Sequence, residues 1–334
     1  MRLRPTPTMI RAAMALLLLL LLLTAALSSS PPGITGDHVT GDHVTNLNHR
    51  PIIGILAQEN LQEDRSPQGT SYIAASYVKY LESAGARVVP IRINRPEEEY
   101  VKLFASINGL LLPGGDVDIE TSQCTQAAKT FYKLAVQANE AGDYFPVWGT
   151  CQGFQQLSVL TAKRNLLTRT DTEAVALPLT LSSDVQRSRL FRHFPKNLLH
   201  SLTHENVTAN FHQWSLTVQD FNNNPLLKRF YKILSTNTDG KVQFISTMEG
   251  NQYPFYGVQW HPEKGPFEWI DKPGIVHSAA AVQISFHMAS FFVSEARKNQ
   301  HKFSSEQEEE TALIYNHIPH YKKNFYFVQN YYFD

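Results

Sequence analysis

The segment that most constrains the fold is residues 145–153, which read FPVWGTCQG. An apolar stretch suited to a buried strand leads to Cys151, glycines flank the cysteine two residues away on each side, and helix-forming residues follow. Small neighbours permit a tight strand–turn–helix that lifts the sulfur off the sheet, and the start of the helix stabilises a thiolate. The pattern predicts a nucleophilic cysteine at a strand end; a merely structural turn is the alternative.

Strand-like and helical segments alternate around this turn. The strand-like segments are 52–56, 87–91, 110–112 and 144–148, and the helical ones are 71–84, 96–107 and 126–140. Such alternation is typical of βαβ units with right-handed crossovers, so the predicted fold class is α/β with a mostly parallel sheet. In these sheets the chemistry lies beyond the carboxyl ends of the strands, where Cys151 is expected.

The second half of the chain is richer in strands. The strand-like segments are 174–181, 230–235, 242–247 and 255–260, and a long helix is expected at 278–299. A last helix is predicted from Ser305, because Ser305 and Glu308 match a capping box. The tail, residues 325–333, carries six aromatic residues and is expected to pack on the body of the protein or on a partner subunit.

A thiolate nucleophile needs a base that also carries the proton. Residues 256–260 are strand-like and end directly at His261, Pro262 and Glu263. The strand end fixes the imidazole of His261, and Glu263, two residues on, can orient the ring and stabilise its cation. A lone histidine beside a turn proline is more often structural, but its pairing with Cys151 favours the catalytic role.

An oxyanion hole is the third requirement of acyl transfer. Pro113, Gly114 and Gly115 follow an apolar strand, and glycines expose backbone N–H groups without side-chain obstruction. The N–H of Gly114 or Gly115, together with that of Gln152, is expected to hold the oxyanion. Only the backbone N–H of Gln152 is expected to matter, so a leucine at this position should serve equally well.

Four strings of residues carry a family resemblance. They are YIAASYVKYLESAG at 72–85, FPVWGTC at 145–151, TANFH at 208–212 and VQWHPEK at 258–264. The P-G-G turn, the G-x-C-x-G elbow and the late H-P-E are similar to those of the class I glutamine amidotransferase-like superfamily. Within it, the four strings closely resemble the γ-glutamyl hydrolase family, and the likeness runs from about residue 51 to the C-terminus.

The resemblance implies a flavodoxin-like α/β core, with helices on both faces of the sheet, and a Cys-His-Glu triad. Cys151 is then the nucleophile, His261 the proton donor and acceptor, and Glu263 the carboxylate that orients the histidine. His212 matches a position tied to substrate handling in the family and is expected to bind substrate. The resemblance implies no metal and no cofactor.

The resemblance also implies a lysosomal and secreted thiol peptidase, a homodimer that hydrolyses the γ-glutamyl bonds of folylpolyglutamates through a γ-glutamyl thioester. Two alternatives remain. A glutaminase subunit, which feeds ammonia to a synthase, works in the cytosol and docks a partner, whereas this chain has an N-terminal signal and no synthase domain. A non-catalytic binding module on the same scaffold should lack Cys151, His261 or Glu263, and all three are present.

The first thirty residues have the layout of a secretory signal. Three arginines precede an apolar stretch, residues 12–27, and small residues follow. The stretch is shorter than the ~20 residues that a spanning helix needs; a retained signal anchor is the alternative. We expect a signal peptide at 1–30, a flexible linker at 31–49 with the tandem repeat GDHVT, and a catalytic domain at 50–334 that is soluble in the secretory pathway, without membrane attachment.

Charge and cysteine content add further expectations. Thirty Lys and Arg balance thirty Asp and Glu, and a chain without a basic excess is not expected to bind nucleic acid. Only Cys124 and Cys151 are present. One bridge is the simplest interpretation in an oxidising compartment, but a bridged Cys151 could not attack a carbonyl, so we expect no disulfide between them. Asn206 begins an N-x-T sequon and is a glycosylation candidate.

Overall fold

The structure is a computed structural model that describes residues 47–323 and 325–334. These residues belong to one compact unit, Asn46–Asp334. The expected signal peptide, residues 1–30, and residues 31–46 of the expected linker lie outside the described residues, so both stay predictions.

The described residues form fourteen strands, and eight of these make up a central sheet. In chain order the strands are β1 (Ile52–Leu56), β2 (Gln58–Glu59), β3 (Ser71–Ala74), β4 (Arg87–Ile91), β5 (Gly109–Leu112), β6 (Val147–Thr150), β7 (Leu167–Leu177), β8 (Thr180–Leu181), β9 (Thr208–Leu216), β10 (Tyr231–Thr238), β11 (Gln243–Gly250), β12 (Phe255–Val258), β13 (His320–Tyr321) and β14 (Gln329–Phe333). The order in the central sheet is β4-β1-β5-β6-β12-β11-β10-β8. In this order, the first five strands (β4, β1, β5, β6 and β12) are parallel to one another. Each of the last three (β11, β10 and β8) runs antiparallel to the strand before it. The predicted mostly parallel α/β sheet is therefore confirmed.

Helices cover both faces of this sheet. They are α1 (Ala75–Glu82), α2 (Glu97–Phe104), α3 (Gln123–Glu140), α4 (Gln152–Ala162), α5 (Lys196–His204), α6 (Val218–Asn223), α7 (Pro225–Phe230), α8 (Lys264–Phe267), α9 (Ala279–Ala296) and α10 (Glu306–Ala312). Successive residues of a strand point to opposite faces, so Ile53 packs with α1 and α9, and its neighbour Ile52 packs with α2, α3 and α4. Burial on both faces explains why these strands read as continuous apolar runs.

The helix predicted at 71–84 is present, but its predicted start is wrong. Ser71–Ala74 is strand β3, and the helix α1 begins at Ala75. The reason is pairing that is remote in sequence: β3 lies between β2 and β14 in a second sheet, with Tyr331 opposite Ile73. The same pairing confirms that the aromatic tail packs on the body, since β14 carries it into that sheet.

Strand β9 was not expected from the sequence. It pairs antiparallel with β7 to form a two-stranded ribbon, and the face that it buries is polar, with Thr208, Asn210 and His212 all under 5% exposed. A buried strand of this kind lacks the apolar run by which strands are recognised. This strand positions His212 at the site described next.

Candidate active site

Cys151 lies on a strained turn between β6 and α4. Its backbone has φ +51° and ψ −108°, a region that side chains with a Cβ rarely adopt. The Cys151 N–H donates to the Val258 carbonyl over 2.8 Å, and the Gly153 N–H donates to the Pro113 carbonyl over 3.0 Å. A Cβ on Gly153 would lie 2.0 Å from the Leu112 carbonyl oxygen. The G-x-C-x-G pattern is therefore required by the close approach of the turn to the neighbouring strand.

The parallel pairing of β6 and β12 brings the second predicted residue to this turn. His261 follows the end of β12, and its backbone N–H donates to the Ala209 carbonyl over 2.8 Å. Its Nδ1 lies 2.7 Å from Glu263 Oε1, and both side chains are buried. A Cβ on Gly114 would come within 2.7 Å of His261 Cε1 and 3.1 Å of Cys151 Cβ. The structure thus brings the three predicted triad residues together around Gly114.

Burial and their mutual contact together determine the charges of His261 and Glu263. Burial alone would lower the pKa of His261, but the Glu263 carboxylate and the nearby Cys151 outweigh it and raise that pKa to about 9. Burial would raise the pKa of Glu263, and the His261 cation instead holds it below its ordinary value. His261 is therefore an imidazolium and Glu263 a carboxylate at neutral pH. Glu263 holds Nδ1, so the buried Nε2 is the nitrogen left to exchange a proton, and Cys151 lies close enough to contribute to the raised pKa of the ring.

Tyr77, on helix α1, is a site residue that the sequence analysis missed. Its hydroxyl accepts a hydrogen bond from the Gly114 N–H over 2.8 Å and lies 3.3 Å from His261 Nδ1. Burial, followed by the Glu263 carboxylate, raises its pKa, so the phenol stays neutral. The sequence pattern predicts only that Tyr77 is on the apolar face of an amphipathic helix. No neighbouring residue indicates its role at the site.

Either Gly114 or Gly115 is expected to serve the oxyanion hole together with Gln152, and the structure favours Gly115. The N–H of Gly114 is engaged by the Tyr77 hydroxyl and is not free to hold an oxyanion. The N–H groups of Gly115 and Gln152 have no hydrogen-bond partner in the described part of the chain. Gln152 follows Cys151 in the chain and Gly115 lines the same cavity, so these two donors fit the role best.

The side chain of Gln152 has contacts of its own. Its Nε2 donates to the Val117 carbonyl over 2.5 Å, and its Oε1 accepts from the Val117 N–H over 3.3 Å. The side chain thus ties the loop after Gly115 to the first turn of α4. A leucine can make neither bond, so the structure favours glutamine over leucine at this position.

His212 lies in the wall of the cavity that opens onto Cys151. Its Nδ1 is 2.9 Å from the Thr172 hydroxyl and its Nε2 is 3.2 Å from Asn210 Oδ1. Burial, with a smaller contribution from the His261 cation, lowers its pKa to about 3, so the imidazole is neutral at physiological pH. Because protein groups hold both ring nitrogens, this neutral ring is fixed in place and can shape the cavity wall.

The two cysteines are both free, which confirms that they do not bridge each other. Cys124 is buried in α3 beside Gln156, and burial raises the pKa of its thiol to about 12. Asn206 lies in the exposed loop between α5 and β9, where a glycan would be accessible. Among the described residues, no group of three or more His, Cys, Asp or Glu side chains is arranged to hold a metal ion. Within the same ranges, no helix has the length and apolar character needed to cross a membrane.

A cavity of about 500 Å³ opens onto Cys151. Aromatic side chains form part of its wall, among them Phe211, Trp214, Tyr326 and Phe327. The last two come from the C-terminal tail, so the segment that pairs with β3 also helps to enclose the site. The cavity has the size of a site for a small molecule rather than for a folded protein.

The site combines a cysteine on a strand–helix elbow, a buried histidine–carboxylate pair and two free amide donors, all at the carboxyl ends of parallel strands. This combination is that of a thiol hydrolase of the class I glutamine amidotransferase-like type. The fold is shared with the glutaminase domain of Trypanosoma brucei CTPS, solved with bound acivicin. The TM-score is 0.51 at 13% identity, over 77% of this chain and 98% of that one. This likeness concerns the fold alone.

Similarity in sequence identifies the family. The family model for Peptidase C26 matches residues 51–263. The γ-glutamyl hydrolase of Homo sapiens is 56% identical over 286 residues, which are 85% of this chain and 90% of that protein. γ-Glutamyl hydrolase B of Dictyostelium discoideum is 41% identical over 278 residues, 82% of this chain and 80% of that protein. The chain belongs to the peptidase C26 family, as its motifs predicted.

Proposed function

We propose that this chain hydrolyses γ-glutamyl bonds and that its substrates are folylpoly-γ-glutamates. The observation that carries the proposal is that Cys151 and His261 line one cavity, with Glu263 bound to the His261 ring, in a chain 56% identical to a γ-glutamyl hydrolase. The aromatic wall of the cavity suits a flat heterocycle, and its opening at Cys151 suits an extended glutamyl chain.

The first half of the reaction forms a thioester. The Cys151 thiolate attacks the γ-carbonyl carbon of the substrate, and the carbonyl oxygen becomes an oxyanion that the N–H groups of Gly115 and Gln152 hold. When this intermediate collapses, the carbon–nitrogen bond breaks and the Nε2 proton of His261 moves to the leaving amine. A free glutamate or shorter glutamyl chain departs, and the acyl group remains on the sulfur of Cys151.

The second half releases the acyl group. The now neutral His261 takes a proton from a water molecule, whose oxygen attacks the thioester carbon. Collapse of the second oxyanion breaks the carbon–sulfur bond, which yields the γ-carboxylic acid and restores the thiolate beside the imidazolium. Glu263 stays ionised throughout, because it orients and stabilises the ring and transfers no proton itself.

The compartment, glycosylation and assembly belong to the same proposal. We infer a secreted and lysosomal homodimer, with a catalytic domain at 50–334 and a glycan on Asn206. The signal-like N-terminus supports the compartment, and a pKa of about 9 for His261 keeps the imidazolium intact at acid pH. Apolar side chains exposed on the surface support assembly, with Trp269 at 69% and Ile318 at 76% exposure. Light scattering on the purified protein tests the dimer.

Product analysis tests the activity. The protein is incubated with folyl-γ-pentaglutamate, with free glutamine and with an α-linked glutamate peptide, and the products are identified by mass spectrometry. We expect glutamate or γ-glutamyl chains from the first substrate alone, and no reaction with Cys151→Ala. Ammonia from glutamine at a comparable rate would favour the glutaminase alternative, and binding of the folate without any cleavage would favour the non-catalytic alternative.

A further inference from the structure

Lys264 is a buried lysine in the wall of the active-site cavity. It follows Glu263 in the chain, begins α8 and is 4% exposed. Its Nζ lies 4.9 Å from the centre of the Phe211 ring and 4.6 Å from that of Phe327. Within the described residues its ammonium group makes no hydrogen bond and no ion pair within 4 Å.

Holding a charge in such a place costs free energy. A buried ammonium group is destabilising unless it is paired, and the two aromatic faces offset only part of that cost. The charge of Lys264 acts through space on the buried carboxylates Glu263 and Glu268 and favours their ionised forms. Neither carboxylate contacts the ammonium group, since Glu263 binds the His261 ring and Glu268 accepts a hydrogen bond from the Val328 N–H over 2.7 Å. A direct ion pair of the Lys264 ammonium group is therefore still open to a carboxylate of a ligand.

The position of this charge links it to the reacting groups. Lys264 lines the same cavity as Cys151 and His261. The Phe211 ring that contacts its ammonium lies 6.1 Å from the His261 ring, centre to centre, and the Phe211 carbonyl is 3.8 Å from the Cys151 sulfur. One aromatic residue thus separates the lysine from the bond to be broken.

The remaining charges of the cavity direct an anion to this lysine. The acidic side chains in the cavity wall are Glu63, Asp116, Asp118 and Glu173, and they repel a carboxylate. Lys272, the other lysine in the wall, is only half-buried and packs on Tyr326. The buried cations of the cavity wall are therefore His261, which is paired directly with Glu263, and Lys264, which has no carboxylate within 4 Å among the described residues.

A γ-glutamyl bond presents such an anion beside the scissile amide. In a γ-linked chain every α-carboxylate is free, whereas an α-linked chain consumes that carboxylate in its peptide bond. We propose that Lys264 binds the free α-carboxylate of a glutamyl residue next to the scissile bond, and that this contact makes the enzyme select γ-linked over α-linked chains. The inference rests on the proposed γ-glutamyl hydrolysis and names the residue that recognises the linkage.

The test pairs one enzyme variant with amidated substrates. Folyl-γ-diglutamate is compared with two analogues in which one α-carboxylate, on the acyl side or on the leaving side, is a primary carboxamide. For the wild type we expect kcat/KM to fall about 10- to 100-fold with one of the analogues, the effect of losing a charge-assisted hydrogen bond. Lys264→Met should show a similar loss with the parent substrate and no further loss with that analogue. Lys241→Met, an exposed charge-matched control, should behave as wild type.

Two results overturn the inference. One is an equal loss in Lys264→Met for all three substrates, because a merely structural lysine cannot distinguish them. The other is a wild type that hydrolyses both amides as fast as the acid; this needs no variant and holds even if Lys264→Met fails to fold. If the wild type cleaves no γ-glutamyl bond, the proposed function fails instead. Calorimetric binding of the acid and the two amides to Cys151→Ala then still decides whether the carboxylate is recognised.

Discussion

Replacing Glu263 by glutamine should discharge the catalytic histidine without removing it. Glutamine keeps the size of the side chain and can still accept a hydrogen bond from Nδ1, but it carries no charge. Burial of the His261 ring persists in this variant, and burial lowers its pKa. We therefore expect the pKa of His261 to fall well below 9 and the imidazolium to be lost within the physiological range.

The size of this effect follows from the His261 environment. Its pKa of about 9, against an ordinary value of 6.5, corresponds to about 3 kcal/mol in favour of the cation. Glu263 and Cys151 together supply this free energy, and they also offset the cost of burying the charged ring. Because the pKa is raised, the stability that the pair contributes is complete below pH 6.5 and is lost as pH rises through about 9. Glu263→Gln should lack that contribution, so its unfolding free energy should change less over this range.

Titration of histidine-labelled protein by NMR measures the pKa, and initial rates on a γ-glutamyl substrate measure the consequence. We expect kcat/KM at neutral pH to fall on the order of 10²- to 10⁴-fold, while Cys151→Ala shows no turnover. Asp143→Asn is a matched control, since Asp143 pairs with His301 at the same 2.7 Å outside the site; it should leave activity unchanged. An unchanged His261 pKa in Glu263→Gln, or residual activity no greater than that of Cys151→Ala, would refute this reasoning.

Two further changes test the turn and the loop beside it. Gly153→Ala places a methyl group 2.0 Å from the Leu112 carbonyl oxygen. It should lower stability by about 1–3 kcal/mol and abolish most activity. Gly142→Ala, where φ is +84° and no atom lies within 4 Å, strains the backbone away from the site without crowding it and should keep activity. Gln152→Leu removes both hydrogen bonds to Val117 and should lower kcat about three- to tenfold with folding retained, as followed by circular dichroism; unchanged kinetics would show that the loop holds without them.

The parts of the site that sequence predicts are those that depend on neighbours in the chain. The glycines around Cys151 mark a turn too tight for side chains, and Glu263 lies two residues from the histidine that it orients. Both signals are local, and the structure places both as the motifs indicate. The mostly parallel sheet is predictable for the same reason, because strands buried on both faces are apolar throughout.

The parts that sequence did not predict depend on contacts made only after folding. Tyr77 meets Gly114 across 37 positions of the chain, and its role is invisible in a helix that reads as ordinary. Strand β9 buries polar residues, so its hydrophobicity does not mark it as a strand. Ser71–Ala74 is a strand because the C-terminal tail pairs with it, and helical spacing alone could not show that.

The covalent role of Cys151 is the central claim, and trapping the acyl group tests it most directly. Turnover of folyl-γ-diglutamate is followed in increasing hydroxylamine, which intercepts a thioester before water does, and the acyl products are separated by mass spectrometry. We expect the hydroxamate to replace the free acid while release of glutamate continues, with neither product from Cys151→Ala. Glutamate release with only the free acid at every hydroxylamine concentration, or hydroxamate formation by Cys151→Ala, would contradict a thioester on Cys151.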